Sequence, residues 1–305
     1  VLPRTSLSLV SADQQWSADS RSDAGLEPQT ECDTEKETVF VPVPAAGFTR
    51  IMMTLAYDGS KFRGMAENPN VVTVVGTLRE VLERAVGHPV AIAMAGRTDA
   101  GVHAWGQVIS FDVDTDLVGS GRAVPSALTR AVNRYCVPSI VARDAQLASP
   151  EFDARFSAKT RRYRYTIVNR PIPDPFLAAT TWWVPHELDL GALRLGCDAL
   201  YGLHNFSSFC RRPKPARSVA VEPSLLRRVH DLSWQQLDDG ILRFEIGASS
   251  FCHQMVRSIV GTLVDMGRGR RKPGEMAGII RAQDRSLASV LAPPQGLCLW
   301  EVGYE

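Results

Sequence analysis

The stretch at residues 95–103, Ala-Gly-Arg-Thr-Asp-Ala-Gly-Val-His, constrains this chain more than any other. It is a polar loop with two glycines, set between the apolar runs 90–95 and 107–113. In the second run Ile109, Phe111 and Val113 alternate with Ser110 and Asp112, the period-two pattern of a half-buried strand. The spacing predicts a strand, a loop and a second strand, with Arg97, Asp99 and His103 gathered in the loop. Gly96 and Gly101 allow a tight turn there and the close approach of a ligand. Taken alone, Asp99 reads as a turn residue bonding its own backbone. Only the rest of the chain can read it otherwise.

The chain has 305 residues, 45% of them hydrophobic and 22% charged, the composition of a globular protein with a sizeable core. No apolar run is long enough for a membrane span. Cys32, Cys136, Cys197, Cys210, Cys252 and Cys298 are scattered without a C-x-x-C pair. That argues against zinc and against a disulfide framework, and points to thiols kept reduced in a cytoplasm. Cys252-His253 and His204 are suitable metal ligands by type, but their spacing fits no usual motif, so no metal is expected. Charge is unevenly spread. Residues 1–47 hold eight acids and three bases, and the remainder holds 31 bases and 25 acids. The part expected to fold is basic, which suits an anionic partner.

Residues 1–47 are poor in aromatics and acidic in the middle, and they read as a disordered tail; they resemble neither a secretory signal nor an Arg-rich presequence. Order is expected from Phe48, with a strand over 51–57. A helix follows, capped by Thr73 or by Thr77, which with Glu80 would form a capping box. Its inward face would carry Leu78, Val81, Leu82, Ala85 and Val86. Residues 118–122 read as a flexible connection, 125–135 as a short helix, and 140–144 as a strand. In the second half, helices are expected at 190–200, 251–266 and 273–283, a hairpin around Asp238-Asp239-Gly240, and a last strand at 296–302. Strands with a few helices in this order predict an α+β layer, with helices on one face of a mainly antiparallel sheet.

Three basic features stand out. In the strand 160–167, Tyr163, Tyr165 and Ile167 share one face and Arg162 and Arg164 the other. That is the composition of a nucleic-acid platform, and equally of an amphipathic edge strand with solvated arginines. Residues 211–217 carry four bases among prolines that no helix could hold, so they form a basic loop suited to anions. Arg257 interrupts the apolar surface of its helix; a guanidinium buried there needs a carboxylate, unless it reaches water past its own stem.

Separated motifs then agree. Tyr57-Asp58-Gly59, the loop 95–103, Phe152-Asp-Ala-Arg-Phe-Ser157, Arg161-Arg-Tyr-Arg-Tyr165, Phe206-Ser-Ser-Phe209, Phe251-Cys-His-Gln-Met-Val-Arg257-Ser-Ile-Val-Gly261 and Gly296-Leu-Cys-Leu299 stand in one order. From about Met52 to Tyr304 the sequence resembles the TruA family of tRNA pseudouridine synthases, the tRNA pseudouridine(38–40) synthases. The resemblance implies two ferredoxin-like or RNA-recognition-motif-like domains, over 48–150 and 151–305, sharing an extended sheet with a basic cleft between them. It implies a cytoplasmic homodimer that isomerises uridine to pseudouridine in the anticodon arm of tRNA without cofactor or metal. Residue by residue, Asp99 falls on the catalytic aspartate and Arg97 on the arginine that supports base flipping. Tyr163 falls on the tyrosine that stacks on the target base, and Arg257 on the arginine that pairs with the aspartate. Phe152, Asp153, Ala154, Arg155 and Phe156, and the loop Pro213, Lys214, Pro215, Ala216 and Arg217, fall on tRNA-contacting segments. The sequence departs from the family's pattern at Met65-Ala66, where the family has an aromatic residue followed by Gln. It also has only Arg122 near the place of a basic residue after the second strand.

The chemistry suits such residues. The isomerisation breaks a C–N glycosidic bond and makes a C–C bond, with no net change in atoms or electrons. A carboxylate can serve it as nucleophile or as base, and the sequence leaves both roles open. Arg257 would give Asp99 its partner, and Arg97 would fill the space of a base flipped out of its stack. The alternatives are a non-catalytic RNA-binding protein on the same fold and a sister synthase acting on another RNA. A nucleotide-binding enzyme is excluded by the lack of a G-x-x-x-x-G-K-[ST] loop.

Overall fold

The computed structural model describes residues 43–212 and 224–305. The expected tail therefore lies outside the described residues as far as position 42, as does the segment Pro213 to Arg217. The first half contains β1 (Phe48–Tyr57), α1 (Val74–Val86), β2 (Ala93–Met94), β3 (His103–Asp114), α2 (Thr115–Gly119), α3 (Pro125–Tyr135) and β4 (Ile140–Leu147). The second half contains β5 (Thr160–Val168), β6 (Trp182–Trp183), α4 (Leu190–Cys197), β7 (Gly202–Asn205), β8 (Leu226–Gln236), β9 (Ile241–Ala248), α5 (Met255–Gly267), α6 (Glu275–Ala282) and β10 (Leu297–Gly303).

The strands form a single sheet in the order β4-β1-β3-β10-β5-β9-β8-β7, with β2 added on β3 and β6 on β5. The pairing is antiparallel except for β10 with β3 and β5 with β6. The mixed class with a mainly antiparallel sheet is therefore as expected. β10 sits in the middle, pairing Cys298 with His103 on one side and Leu299 with Tyr163 on the other. One large apolar cluster joins Ile51, Met53 and Ile109 of the first half to Tyr165, Phe244 and Leu263 of the second. A small second cluster, Ala95, Val108 and Ala154, gathers Met52, Phe152 and Tyr304 around it.

Local chemistry explains most boundaries. Proline at the first position opens α3, where its missing N–H has no partner to lose. The hairpin from β8 to β9 turns at Asp239 and Gly240, both with positive φ. Helix α1 is capped by Thr73, whose Oγ1 accepts from Gly76 N at 3.2 Å, so Thr77 lies inside the helix and makes no capping box. The earlier start buries Val74 and Val75, an apolar gain that outweighs the second cap. The run 90–95 yields only the two-residue β2, while β3 begins four residues earlier than its apolar run, at His103. The short α2, Thr115–Gly119, takes in the first two residues of the connection expected over 118–122. Helix α5 begins at Met255 rather than 251, because Gln254 adopts a left-handed φ of 67° and the chain before it turns aside.

Two expectations from composition are corrected. Strand β5 is central, flanked by β10 and β9, and its arginines are half-buried in ion pairs rather than solvated on an edge strand. Arg162 pairs with Asp231 and lies 3.8 Å from Glu245 and from Glu301. Arg164 reaches Glu245 at 2.6 Å and lies over the Trp300 ring, 3.5 Å from its centroid. The carboxylates come from β8, β9 and β10, far along the chain. The cysteines are not all free thiols: Cys210 and Cys252 are joined in a disulfide, 42 residues apart in sequence, and Cys136, Cys197 and Cys298 are free. No spacing motif marks that pair, because the fold alone brings the Phe206–Cys210 turn against the segment before α5.

Candidate active site

The loop between β2 and β3 is held on every side. Gln107, fully buried on β3, reaches across it: its Nε2 donates to Gly96 O at 2.7 Å and its Oε1 accepts from Gly96 N at 3.3 Å. The Thr98 and Tyr57 hydroxyls bond at 2.7 Å, and Met65 N donates to Thr98 O at 3.1 Å. Burial pushes the Tyr57 phenol up to about 12, so it stays a neutral hydrogen-bonding group. Val102 N donates to Asp99 O at 3.1 Å, closing a turn in which Gly101 has φ +80°. The freedom expected of glycine is needed at Gly101; Gly96 has no positive φ, and an added Cβ there would find ordinary contacts.

Gly59 explains the Tyr-Asp-Gly motif. A Cβ at this position would lie 2.0 Å from Val102 O. Gly59 N also donates to His103 Nδ1 at 3.1 Å, while His103 Nε2 meets Ala179 O at 3.0 Å. His103 thus ties the loop's end to its neighbours. Substituting Gly59→Ala is expected to destabilise the protein by about 2 kcal/mol or more through overpacking against backbone. Urea unfolding checks this, and an unchanged midpoint would mean that the loop tolerates displacement.

With the backbone fixed, the Asp99 side chain faces the start of α5. Its Oδ2 accepts from Arg257 Nη1 at 2.9 Å, across 158 residues of sequence. Arg257 Nε donates to Ala292 O at 2.8 Å, so one planar group is held at two points. The Arg257 side chain is 11% exposed and that of Asp99 21%, which makes this a largely buried pair and answers the need for a carboxylate. Tyr163, on β5, is buried beside them, edge-on to the Phe251 ring at 5.0 Å. Burial, with Tyr57 and Asp99 nearby, pushes its phenol well above the ordinary range. Its hydroxyl faces Gly96 and makes no hydrogen bond among the described residues. Arg97 is exposed and makes no ion pair among the described residues.

The Phe152–Phe156 segment divides into two parts. Asp153 Oδ1 accepts from Arg155 N at 2.8 Å and Phe156 N at 2.9 Å, and Ala154 is buried with its N–H on Ser110 Oγ at 3.0 Å. Phe152 packs against the Tyr304 ring at 4.9 Å. These three shape the turn, and Arg155 and Phe156 project outward from it, the guanidinium 5.1 Å from the ring centroid.

Three residues of the site escaped sequence reasoning. His253 Nε2 lies 3.1 Å from Asp99 Oδ1. Gln107 clamps Gly96. Arg161 is buried with no carboxylate: its guanidinium donates to Ala95 O, Arg155 O, Ala158 O and Ser249 O at 2.7–3.3 Å. It joins the loop before Arg97, the Phe152–Phe156 turn and the segment leading to His253, and burial lowers its pKa. Backbone carbonyls leave no trace in a sequence. Only the apolar neighbours of Gln107, a polar residue in a buried strand, could have marked it.

A family model described as tRNA pseudouridine synthase matches residues 197–305. A tRNA pseudouridine synthase A of Leifsonia xyli subsp. xyli is 38% identical over 271 residues, covering 84% of this chain and 92% of that protein. Another, of Geobacillus kaustophilus, is 38% identical over 259 residues, covering 84% and 95%. The chain belongs to the tRNA pseudouridine synthase family. Within it, its relatives over most of their length are the enzymes named tRNA pseudouridine synthase A.

Proposed function

We propose that this chain isomerises uridine to pseudouridine in the anticodon arm of tRNA, at positions 38–40, with Asp99 as the acting carboxylate and no cofactor. The observation that carries the reading is the buried pair of Asp99 with Arg257, in a chain of this family. The reaction conserves atoms and electrons, so its stoichiometry calls for no redox partner. Breaking N1–C1′ and forming C5–C1′ needs a carboxylate at the ribose, as nucleophile or base, and a base free to turn. Tyr163 supplies a ring and an unbonded hydroxyl beside Gly96, and Arg97, exposed on the same loop, takes the space of the flipped base.

The RNA meets Arg97, Arg155 and Phe156, and the basic loop that starts at Arg211 and runs through Pro213, Lys214, Pro215, Ala216 and Arg217. Arg211 N donates to His253 O at 2.9 Å, so the residue at which this segment starts stands beside Asp99's neighbour. Phe152, Asp153 and Ala154 act by holding the turn. The reading includes two ferredoxin-like domains, 48–150 and 151–305, and it is supported by the sheet, in which β4-β1-β3-β2 and β10-β5-β9-β8 have the same strand order relative to their chain order. A homodimer and a cytoplasmic place belong to the same reading, through the family resemblance. Among the described residues no helix is long and apolar enough to cross a membrane.

The test is pseudouridine mapping in an unmodified tRNA transcript incubated with the protein. New pseudouridine at 38–40 supports the reading. Modification only elsewhere would favour a sister synthase with another target, and none would favour an RNA-binding protein without catalysis. Binding itself should weaken steeply with salt by counterion release. Arg155→Ala should reduce the slope of log affinity against log salt by about one unit. A filter-binding titration that shows the same slope in both proteins would remove Arg155 from the RNA surface.

A further inference from the structure

The two oxygens of Asp99 have partners of different kinds. Oδ2 accepts from Arg257, a guanidinium that stays charged at any pH a protein survives and that is itself fastened to Ala292 O. Oδ1 faces Nε2 of His253 at 3.1 Å, and this ring is 48% exposed. An imidazole changes charge between about pH 5 and 8. We propose that His253 is a positioning residue for Asp99, holding Oδ1 when its ring is charged and releasing it to the ribose when the ring is neutral. The inference rests on Asp99 as the acting carboxylate.

In the free protein both oxygens are covered, and one must be given up before the carboxylate can approach C1′ or the neighbouring ribose proton. Removing Arg257 would strand a largely buried charge. The exposed imidazole can move into water, so His253 is the exchangeable partner. Its backbone is fixed: Cys252 is bonded to Cys210, Met255 N donates to Cys252 O at 3.1 Å, and Arg211 N donates to His253 O. The ring is thereby kept beside Oδ1 rather than swept through solvent. A charged imidazole gives that oxygen a charge-assisted contact; a neutral one offers a weaker donor, or in its other tautomer a lone pair.

Among the described residues, the contacts place these charged and titratable groups at the ring. Asp99 comes from the β2–β3 loop, and Arg257, from α5, acts through Asp99. Arg211, whose N donates to His253 O, comes from the segment after the Phe206–Cys210 turn. Tyr163, from β5, is kept protonated by burial and adds no charge. The Cys210–Cys252 disulfide adds none.

The test compares the pH dependence of pseudouridine formation, in single turnovers at saturating tRNA, for the wild type, His253→Gln and His253→Ser, with thermal melts to establish folding. The wild-type rate should rise about tenfold from pH 5.5 to 8, across the range in which imidazoles change charge. In both variants the rise should shrink below about threefold. Parallel profiles in all three proteins would overturn the proposal. A loss in the variants by one constant factor at every pH would also overturn it, since a merely structural role predicts that. Asp99→Ala in the same assay separates the two readings: if it is inactive, Asp99 keeps its role whatever the profiles show, and substantial activity would sink both.

Discussion

Asp99→Ala should abolish pseudouridine formation, by about four orders of magnitude or more, while tRNA still binds. The size follows from the proposed part of Asp99 in bond breaking, since losses from removing a single reactive side chain are commonly of this order. The sign for binding follows from charge. Asp99 is the carboxylate opposite Arg257, and its loss adds one positive charge to a surface that meets a polyanion. Affinity for tRNA should therefore stay level or rise slightly, and it should not fall. The alanine variant also leaves Arg257 without its carboxylate, and a loss of stability of about 3 kcal/mol will accompany it. Asp99→Asn keeps the shape and an acceptor oxygen, and it should be as inactive with less loss of stability. Rates from single turnovers, affinities from filter binding and unfolding midpoints separate these effects. Activity within tenfold of wild type in either variant would remove Asp99 from the chemistry.

Arg257→Lys should lower the single-turnover rate by about 100-fold or more, although charge is conserved. Arg257 uses two nitrogens at once: Nη1 on Asp99 at 2.9 Å and Nε on Ala292 O at 2.8 Å. A lysine is a single point of charge without the planar fork, so it can serve one acceptor and leaves the other unpaired. Breaking one arm of a buried charged pair costs about 3 kcal/mol or more, which is a factor of at least 100 in rate if the loss falls on the transition state. The carboxylate would also be free to rotate away from its working orientation. Wild-type turnover in this variant would mean that the guanidinium serves packing alone.

Local, periodic signals were legible. Pro125 marked the first residue of α3, the Asp238–Gly240 turn placed the β8–β9 hairpin, and an arginine on an apolar helix face predicted a carboxylate opposite it. The carboxylate's identity came from resemblance, because nothing in the loop 95–103 points to a helix 158 residues away. What stayed illegible has a common physical cause. Arg162 and Arg164 were ambiguous because their carboxylates stand on strands that only the sheet order makes neighbours. Arg161 binds carbonyls, which every residue possesses. The Cys210–Cys252 pair and the contact of His253 with Asp99 depend on where a turn places two side chains, and no spacing rule encodes that. Thr77 misled because its capping pattern was sound, yet two buried valines moved the start of the helix.

The central position of β10 also orders events in time. Asp99 belongs to the part of the chain made first and Arg257 to a part made much later, and β10 is made after every other described element. Until that strand slides between β3 and β5, the sheet is two separate pieces, and early segments generally fold before later ones emerge. Closing so long a loop is slow compared with forming a local hairpin. A nascent chain on the ribosome therefore carries its carboxylate without its guanidinium. The two halves of the sheet are joined only once β10 is made.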